Sequence, residues 1–123
     1  LFLDFTGHGC ANCRKMEEKV WSDPAVLDRL RKNFIIASLY VDDKTTLPES
    51  EWFTSTVDGK VKNTIGKKWT DFIISKYNVN AQPYYVILGP DEKALVEPKG
   101  LDLNTDNFVN FLDKAVETYK DRY

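Results

Sequence analysis

The chain has 123 residues, a net charge of −2 and 42% hydrophobic residues, with aromatics at 13%. That length suits one domain around one core, and the apolar and aromatic content excludes a disordered chain. The near-neutral charge gives no ground for a nucleic-acid or anionic-membrane partner, and no apolar run approaches the ~20 residues that span a bilayer.

In chain order, Leu1-Phe2-Leu3-Asp4-Phe5 reads as a buried strand interrupted by a single acid. The chain lacks an initiator methionine and starts inside this strand, so it reads as a trimmed piece with any signal peptide or anchor out of view. Gly7-His8-Gly9-Cys10-Ala11-Asn12-Cys13-Arg14-Lys15-Met16-Glu17 follows, with both cysteines, the only histidine and the only methionine. Met16, Val20 and the alternating charges around them predict an amphipathic helix that opens on Cys-x-x-Cys. Ser22 or Asp23 then caps a second helical segment, with Pro24 in its first turn, running to about Lys32. Phe34 to Val41 is β-branched and aromatic, hence a strand, and Asp42-Asp43 ends it as a turn.

Residues 43 to about 63 are polar and punctuated by Pro48, and Val57-Asp58-Gly59-Lys60-Val61 suggests a small hairpin. Trp52 and Phe53 are expected to anchor this excursion to the body. From Thr64, the residues Ile65, Trp69, Phe72, Ile73 and Tyr77 recur at helical spacing. Val79 to Pro83 leads into the apolar strand Tyr84 to Leu88, and a turn at Gly89 to Lys93 predicts Ala94-Leu95-Val96 as its hairpin partner. The last helix is capped near Asn104 or Thr105 and carries Phe108, Phe111, Leu112, Ala115 and Tyr119 on one face. The resulting order, β-α-β-α-β-β-α, implies an α/β fold with a central mixed sheet and helices on both faces. No repeat, low-complexity tract or linker divides it, so residues 1–123 read as one domain.

A helix start offers unpaired N–H groups and the positive end of the macrodipole. Both stabilise a thiolate, the species that attacks disulfides. Cys10 and Cys13 therefore read as a redox-active dithiol, with Cys10 as nucleophile and Cys13 as resolving thiol. Gly7 and Gly9 leave the approach to Cys10 open. A purely structural disulfide is a weak alternative, because so short a loop restricts the unfolded chain little. Metal binding is a second alternative. It is disfavoured because one Cys-x-x-Cys and His8, with no second cluster, fall short of a usual zinc ligand set. Arg14 stands where haem attachment requires histidine. No metal and no cofactor beyond the cysteine pair is therefore expected. Two cysteines alone do not fix the compartment.

The strand–Cys-x-x-Cys–helix order and a proline opening the third main strand resemble the thioredoxin fold. In more detail, Leu3-Asp4-Phe5, Cys13-Arg14-Lys15-Met16-Glu17 and Ser22-Asp23-Pro24 resemble the C-terminal thioredoxin-like domain of DsbD, a bacterial inner-membrane thiol:disulfide interchange protein. Copper-delivering members of the wider fold use a histidine downstream of the cysteines, and this chain has none after Cys13. The resemblance covers nearly the whole chain, with residues 43–63 as an insertion. It implies a periplasmic, envelope location, an upstream electron donor such as a membrane-embedded DsbD-like domain, and disulfide-bearing envelope proteins as partners, with the chain itself monomeric.

By the same resemblance, Asp4 is a buried acid beneath the second cysteine and acts in its proton transfer, and Glu17 is a second acid near the pair. Glu17 falls four residues after Cys13 and so shares its helix face, and two nearby carboxylates raise a thiol's pKa. Pro83 matches the family's cis-proline, with Gln82 presenting backbone to an extended substrate segment. Gly9 and Thr6 stand where related sites often carry aromatics, which leaves partner shape open. His8 either favours the Cys10 thiolate when charged or sits in solvent on its glycine loop. Ala11-Asn12 adds neither proline nor positive charge between the cysteines, so the dithiol reads as a reductant or electron relay rather than a strong oxidant.

Overall fold

The computed structural model describes residues 1–123. Strand β1 (Phe2–Thr6) is the centre of a three-stranded sheet and is buried along its whole length. It pairs in parallel with β2 (Ile36–Tyr40) and antiparallel with the later strand Tyr84–Ile87. Successive side chains on a strand point to opposite faces, and β1 uses both. Phe2 joins one apolar cluster with Met16, Val20, Val26, Leu30 and the C-terminal helix, while Leu3 and Phe5 join a second with Ile73 and Val86. The sheet is therefore mixed and covered by helices on both faces, as the residue pattern predicts.

Between β1 and β2 the chain crosses over through α1 (Ala11–Met16), a π-helical turn (Glu17–Trp21) and α2 (Pro24–Asn33). The π turn, closed by the Ser22 amide donating to the Glu17 carbonyl at 3.1 Å, puts one extra residue into the helix. It lets Met16, Val20 and Trp21 all face the core that also holds Phe2. Asp23 caps α2 by accepting from the Ala25 amide, with Pro24 at the first position. β2 is the sheet edge and is only half covered. Ile35, just before it, is 77% exposed.

The excursion after β2 contains a 3-10 turn (Glu49–Glu51) and a two-stranded hairpin of β3 (Phe53–Thr54) and β4 (Val61–Lys62), with Gly59 at φ 72° in its turn. The anchoring differs from the sequence expectation. Trp52 is 40% exposed, and its indole N–H donates to the Leu47 carbonyl within the excursion itself. The ties to the body are Leu47, which is buried, and Ser55, whose hydroxyl bonds Asp71 on the following helix. A large indole has a polar edge to satisfy, and here the loop's own carbonyl does so without burial.

Helix α3 (Ile65–Tyr77) is capped by Thr64 and ends at Asn78 in the left-handed conformation. β5 (Tyr84–Ile87) returns along β1. Its expected partner strand, Ala94–Val96, does not form as a regular strand. Leu95 donates to the Ile87 carbonyl and Lys99 pairs with Tyr85 in both directions, but Val96-Glu97-Pro98 bulges between these contacts. The extra residues between these contacts break the pairing into isolated bridges, with Pro98 at an edge position where no ladder N–H is needed. Helix α4 (Thr105–Arg122), capped by Asn104, buries Phe108, Phe111, Leu112 and Ala115. Tyr119 lies past that buried face, partly exposed and against Tyr123. Arg29 of α2 pairs with Asp113 of α4 at 2.7 Å, holding these two helices on the same side of the sheet.

Among the glycines, Gly66 makes the closest approach to neighbouring backbone. A Cβ there would lie 2.6 Å from the Val41 carbonyl oxygen and 2.7 Å from that of Asp43. Neither backbone atom can step aside without moving the end of β2. Gly66→Ala is therefore expected to cost about 1–3 kcal/mol of overpacking strain, read as a lowered urea midpoint with an unchanged slope.

Candidate functional site

The site begins where β1 ends. Thr6 leads into Gly7-His8-Gly9, and the Cys10 amide closes the turn on the Gly7 carbonyl at 3.2 Å. Cys10 is the N-cap of α1, in extended conformation, and its sulfur accepts from the Cys13 amide at 3.2 Å. Sulfur thus takes the capping role that an oxygen side chain usually fills. Cys10 and Cys13 form a disulfide with Cα atoms 5.2 Å apart. Their burial is unequal. Cys10 is half-buried at the surface, while Cys13 is 2% exposed beneath it. Only the first side chain reaches the surface, and the second lies inside it.

Asp4 shares the β1 face of Phe2 and Thr6, the face turned toward α1, and is 6% exposed. Its partner across the sheet is Ser38, whose hydroxyl donates to the carboxylate at 3.4 Å. Burial, with the Glu17 charge second, pushes the Asp4 carboxyl up to about 6, and the Ser38 bond and the Arg14 charge pull weakly the other way. Glu17 lies at the start of the π turn. The Tyr85 hydroxyl faces the same charges and is held far above its ordinary range by burial, Asp4 and Glu17.

Two residues that the sequence reading passed over complete the surroundings. Arg14, considered there only as an obstacle to haem attachment, donates from Nη2 to the Thr6 hydroxyl and the Gly7 carbonyl, both at 3.1 Å. The same nitrogen lies 3.2 Å from Glu17 Oε2. Its i,i+3 spacing to Glu17 was the available signal. Asp42, read only as a turn residue, accepts from the His8 and Gly9 amides at 2.9 and 3.0 Å. A parallel partner strand ending level with β1 brings its second loop residue to the motif, which was the signal there. The two backbone bonds, Gly9 first, hold the Asp42 carboxyl below its usual range.

His8 is exposed, its ring stacked on Tyr40 with centroids 4.0 Å apart and planes at 11°. It thus lies in solvent on its glycine loop, the second of the two readings above, with the end of β2 supporting its ring. Gly9 is exposed next to Cys10. The Gln82–Pro83 peptide is cis, Pro83 is buried and Gln82 half-buried. Because Phe5 pairs with Tyr84, Pro83 sits at the same end of the sheet as the turn that carries the dithiol. The fold thus gathers the two cysteines, Asp4, Glu17, His8 and Gly9 at one sheet end, with Gln82-Pro83 entering the neighbouring strand there.

Asp4 sets a pH dependence of stability. Its carboxyl titrates near 3.8 when the chain is unfolded and near 6 when folded. Between those values the folded state holds more protons, so stability falls as pH rises through the window, by roughly 2–3 kcal/mol in all. Asp4→Asn keeps the shape and removes the titration. The oxidised variant should lose this fall relative to the parent, so that the difference between the two urea stabilities grows across the window, and it should exceed the parent protein at about pH 7.

No helix is long and apolar enough to cross a membrane. The fold is similar to that of two solved structures. A DsbH oxidoreductase aligns with TM-score 0.63 and 17% identity over 94% of this chain and 71% of its own. A thioredoxin from Thermus thermophilus aligns with TM-score 0.64 and 22% identity over 96% and 74% respectively. No curated protein sequence matches the chain. The sequence itself matches the thioredoxin-like domain family over residues 1–115. With that match, the mixed sheet and the Cys10–Cys13 disulfide at a helix start, the chain belongs to the thioredoxin-like family.

Proposed function

We propose that this protein is a thiol–disulfide oxidoreductase of the bacterial envelope, acting as a reductant or electron relay in the manner of the C-terminal domain of DsbD. The observation that carries the reading is the unequal burial of the two sulfurs, one reachable and one 2% exposed behind it. In the proposed cycle the Cys10 thiolate attacks a partner disulfide. A Cys10–partner bond forms, the partner's S–S bond breaks, and one partner thiolate leaves. The Cys13 thiolate then attacks the Cys10 sulfur, closing the Cys10–Cys13 disulfide and freeing the second partner thiol. Two electrons pass to the partner, and an upstream dithiol returns them.

Proton handling falls to the two carboxylates. Asp4, with its carboxyl near 6, is an acceptor matched to a thiol proton at neutral pH. Glu17 adds a second negative charge that opposes premature ionisation of the pair. Partner docking is assigned to Gly9, the His8 ring and the backbone at Gln82-Pro83, where an extended segment would pair as an added strand. The periplasmic location, the membrane-embedded donor and the envelope substrates rest on the DsbD resemblance of Cys13 to Glu17 and Ser22 to Pro24.

The test is a trapping experiment in cells. Cys13→Ala leaves Cys10 without its resolving partner, so adducts that vanish on reduction are expected to accumulate, and the additional Cys10→Ala change should abolish them. A Cys13→Ala variant that captures no protein, or one whose adducts survive loss of Cys10, would refute the reading. The trapped proteins also separate a dedicated relay, which captures one donor and few acceptors, from a general reductase.

A further inference from the structure

The turn that carries Cys10 is fastened from outside its own helix. One carboxylate, Asp42, takes the amides of His8 and Gly9, the two residues that precede the nucleophilic cysteine. Gly7 makes this possible, since a Cβ there would stand 3.3 Å from Asp42 Oδ2. Around the carboxylate, β2 contributes Tyr40, which carries the His8 ring, and the loop contributes Asp43, whose carboxylate accepts from the Thr45 amide at 2.8 Å. Asp4 of β1, Arg14 of α1 and Glu17 of the π turn are the other charged groups at this end of the sheet. A loop N–H bound to a carboxylate is not free to serve a sulfur anion. The Cys10 sulfur accepts only from the Cys13 amide.

We propose that Asp42 is a positioning residue for the dithiol, fixing the Cys10 turn through the His8 and Gly9 amides while withholding those donors from the Cys10 sulfur. Two effects follow, and they have opposite signs. The clamp holds Cys10 in place for attack. The occupied donors and the nearby negative charge keep the thiol less acidic than a bare helix start would make it. Asp42 also joins the site to α3, because the backbone of Asp43, the next residue, receives the Gly66 amide of that helix at 2.9 Å. The inference rests on the thiol-exchange reading for the meaning of turnover, but not for the ionisation of Cys10.

The experiment measures iodoacetamide alkylation of reduced protein against pH, alongside turnover of a protein disulfide. Asp42→Ala frees both amides and removes the charge. Alkylation at about pH 6 should become three- to tenfold faster, while turnover falls by roughly tenfold. Asp42→Asn removes the charge but leaves an amide oxygen to accept. It should accelerate alkylation at the same pH and lose less turnover than Asp42→Ala. His8→Gln, made in both backgrounds, removes the one ionisable ring facing Asp42 and should leave these differences standing. Alkylation profiles that coincide with the parent's in both Asp42 variants would overturn the proposal, leaving Asp42 a purely structural tie. If the parent protein exchanged no disulfide, the function above would fail while the alkylation profiles still judged the role of Asp42.

Discussion

The register of β1 is the constraint on which the rest of the molecule depends. The strand is paired on both edges and buried on both faces, so its side chains are sorted strictly by parity. Phe2, Asp4 and Thr6 go to the α1 side, and Leu3 and Phe5 go to the α3 side. A slip of one residue would exchange the two sets. It would send Asp4 into the cluster of Ile73 and Val86 and bring Phe5 toward Arg14. The apolar residues therefore place the polar ones. Burying Phe2, Leu3 and Phe5 holds one carboxylate in a position that costs stability above its titration range, and the same register delivers the Cys10 turn to the sheet end beside Pro83.

Around the dithiol, local electrostatics pull in two directions. The helix start supplies the Cys13 amide to the Cys10 sulfur. Asp4 and Glu17 bring negative charge to the same end of the sheet. Arg14 answers them, but its side chain and that of Glu17 are each about two-fifths exposed, so their ion pair is screened and worth under ~1 kcal/mol. The stronger role of Arg14 is geometric. One nitrogen bonds the last residue of β1 and the first residue of the turn, so the residue after Cys13 is fastened to the residues that lead to Cys10.

Much of this was legible in the sequence because the signals were local. The strand with one acid, the cap at Asp23, the apolar face of α4 and the hairpin around Gly59 each depend on residues near one another along the chain. What escaped depends on contacts between distant segments. Asp42 looks like any acid in a turn until β2 is placed parallel to β1. Trp52 looks like an anchor until its indole finds a carbonyl in its own loop. The expected strand at Ala94–Val96 was lost to extra residues between its two contacts with β5, which the apolar run alone does not reveal. The cis peptide at Pro83 came from family resemblance, not from any property of the surrounding residues.

The direction of electron flow on the proposed reading follows from how few groups favour the reduced form. A strong oxidant of this fold owes its potential to a thiolate stabilised well beyond an ordinary one. Here the amides nearest the Cys10 turn are already bound by Asp42, and the sequence between the cysteines adds no cation. Arg14, the one nearby guanidinium, turns its Nη2 to Thr6, Gly7 and Glu17, while its Nε–H is buried without a partner. An open dithiol in this setting gains little from ionising, so the disulfide is the comparatively favoured state and the open form gives up its electrons readily. On that reading the surroundings that make Cys10 a moderate nucleophile also make the pair a donor. Asp4 would then take the proton of Cys13, whereas the helix start serves Cys10 by donating an N–H to its sulfur.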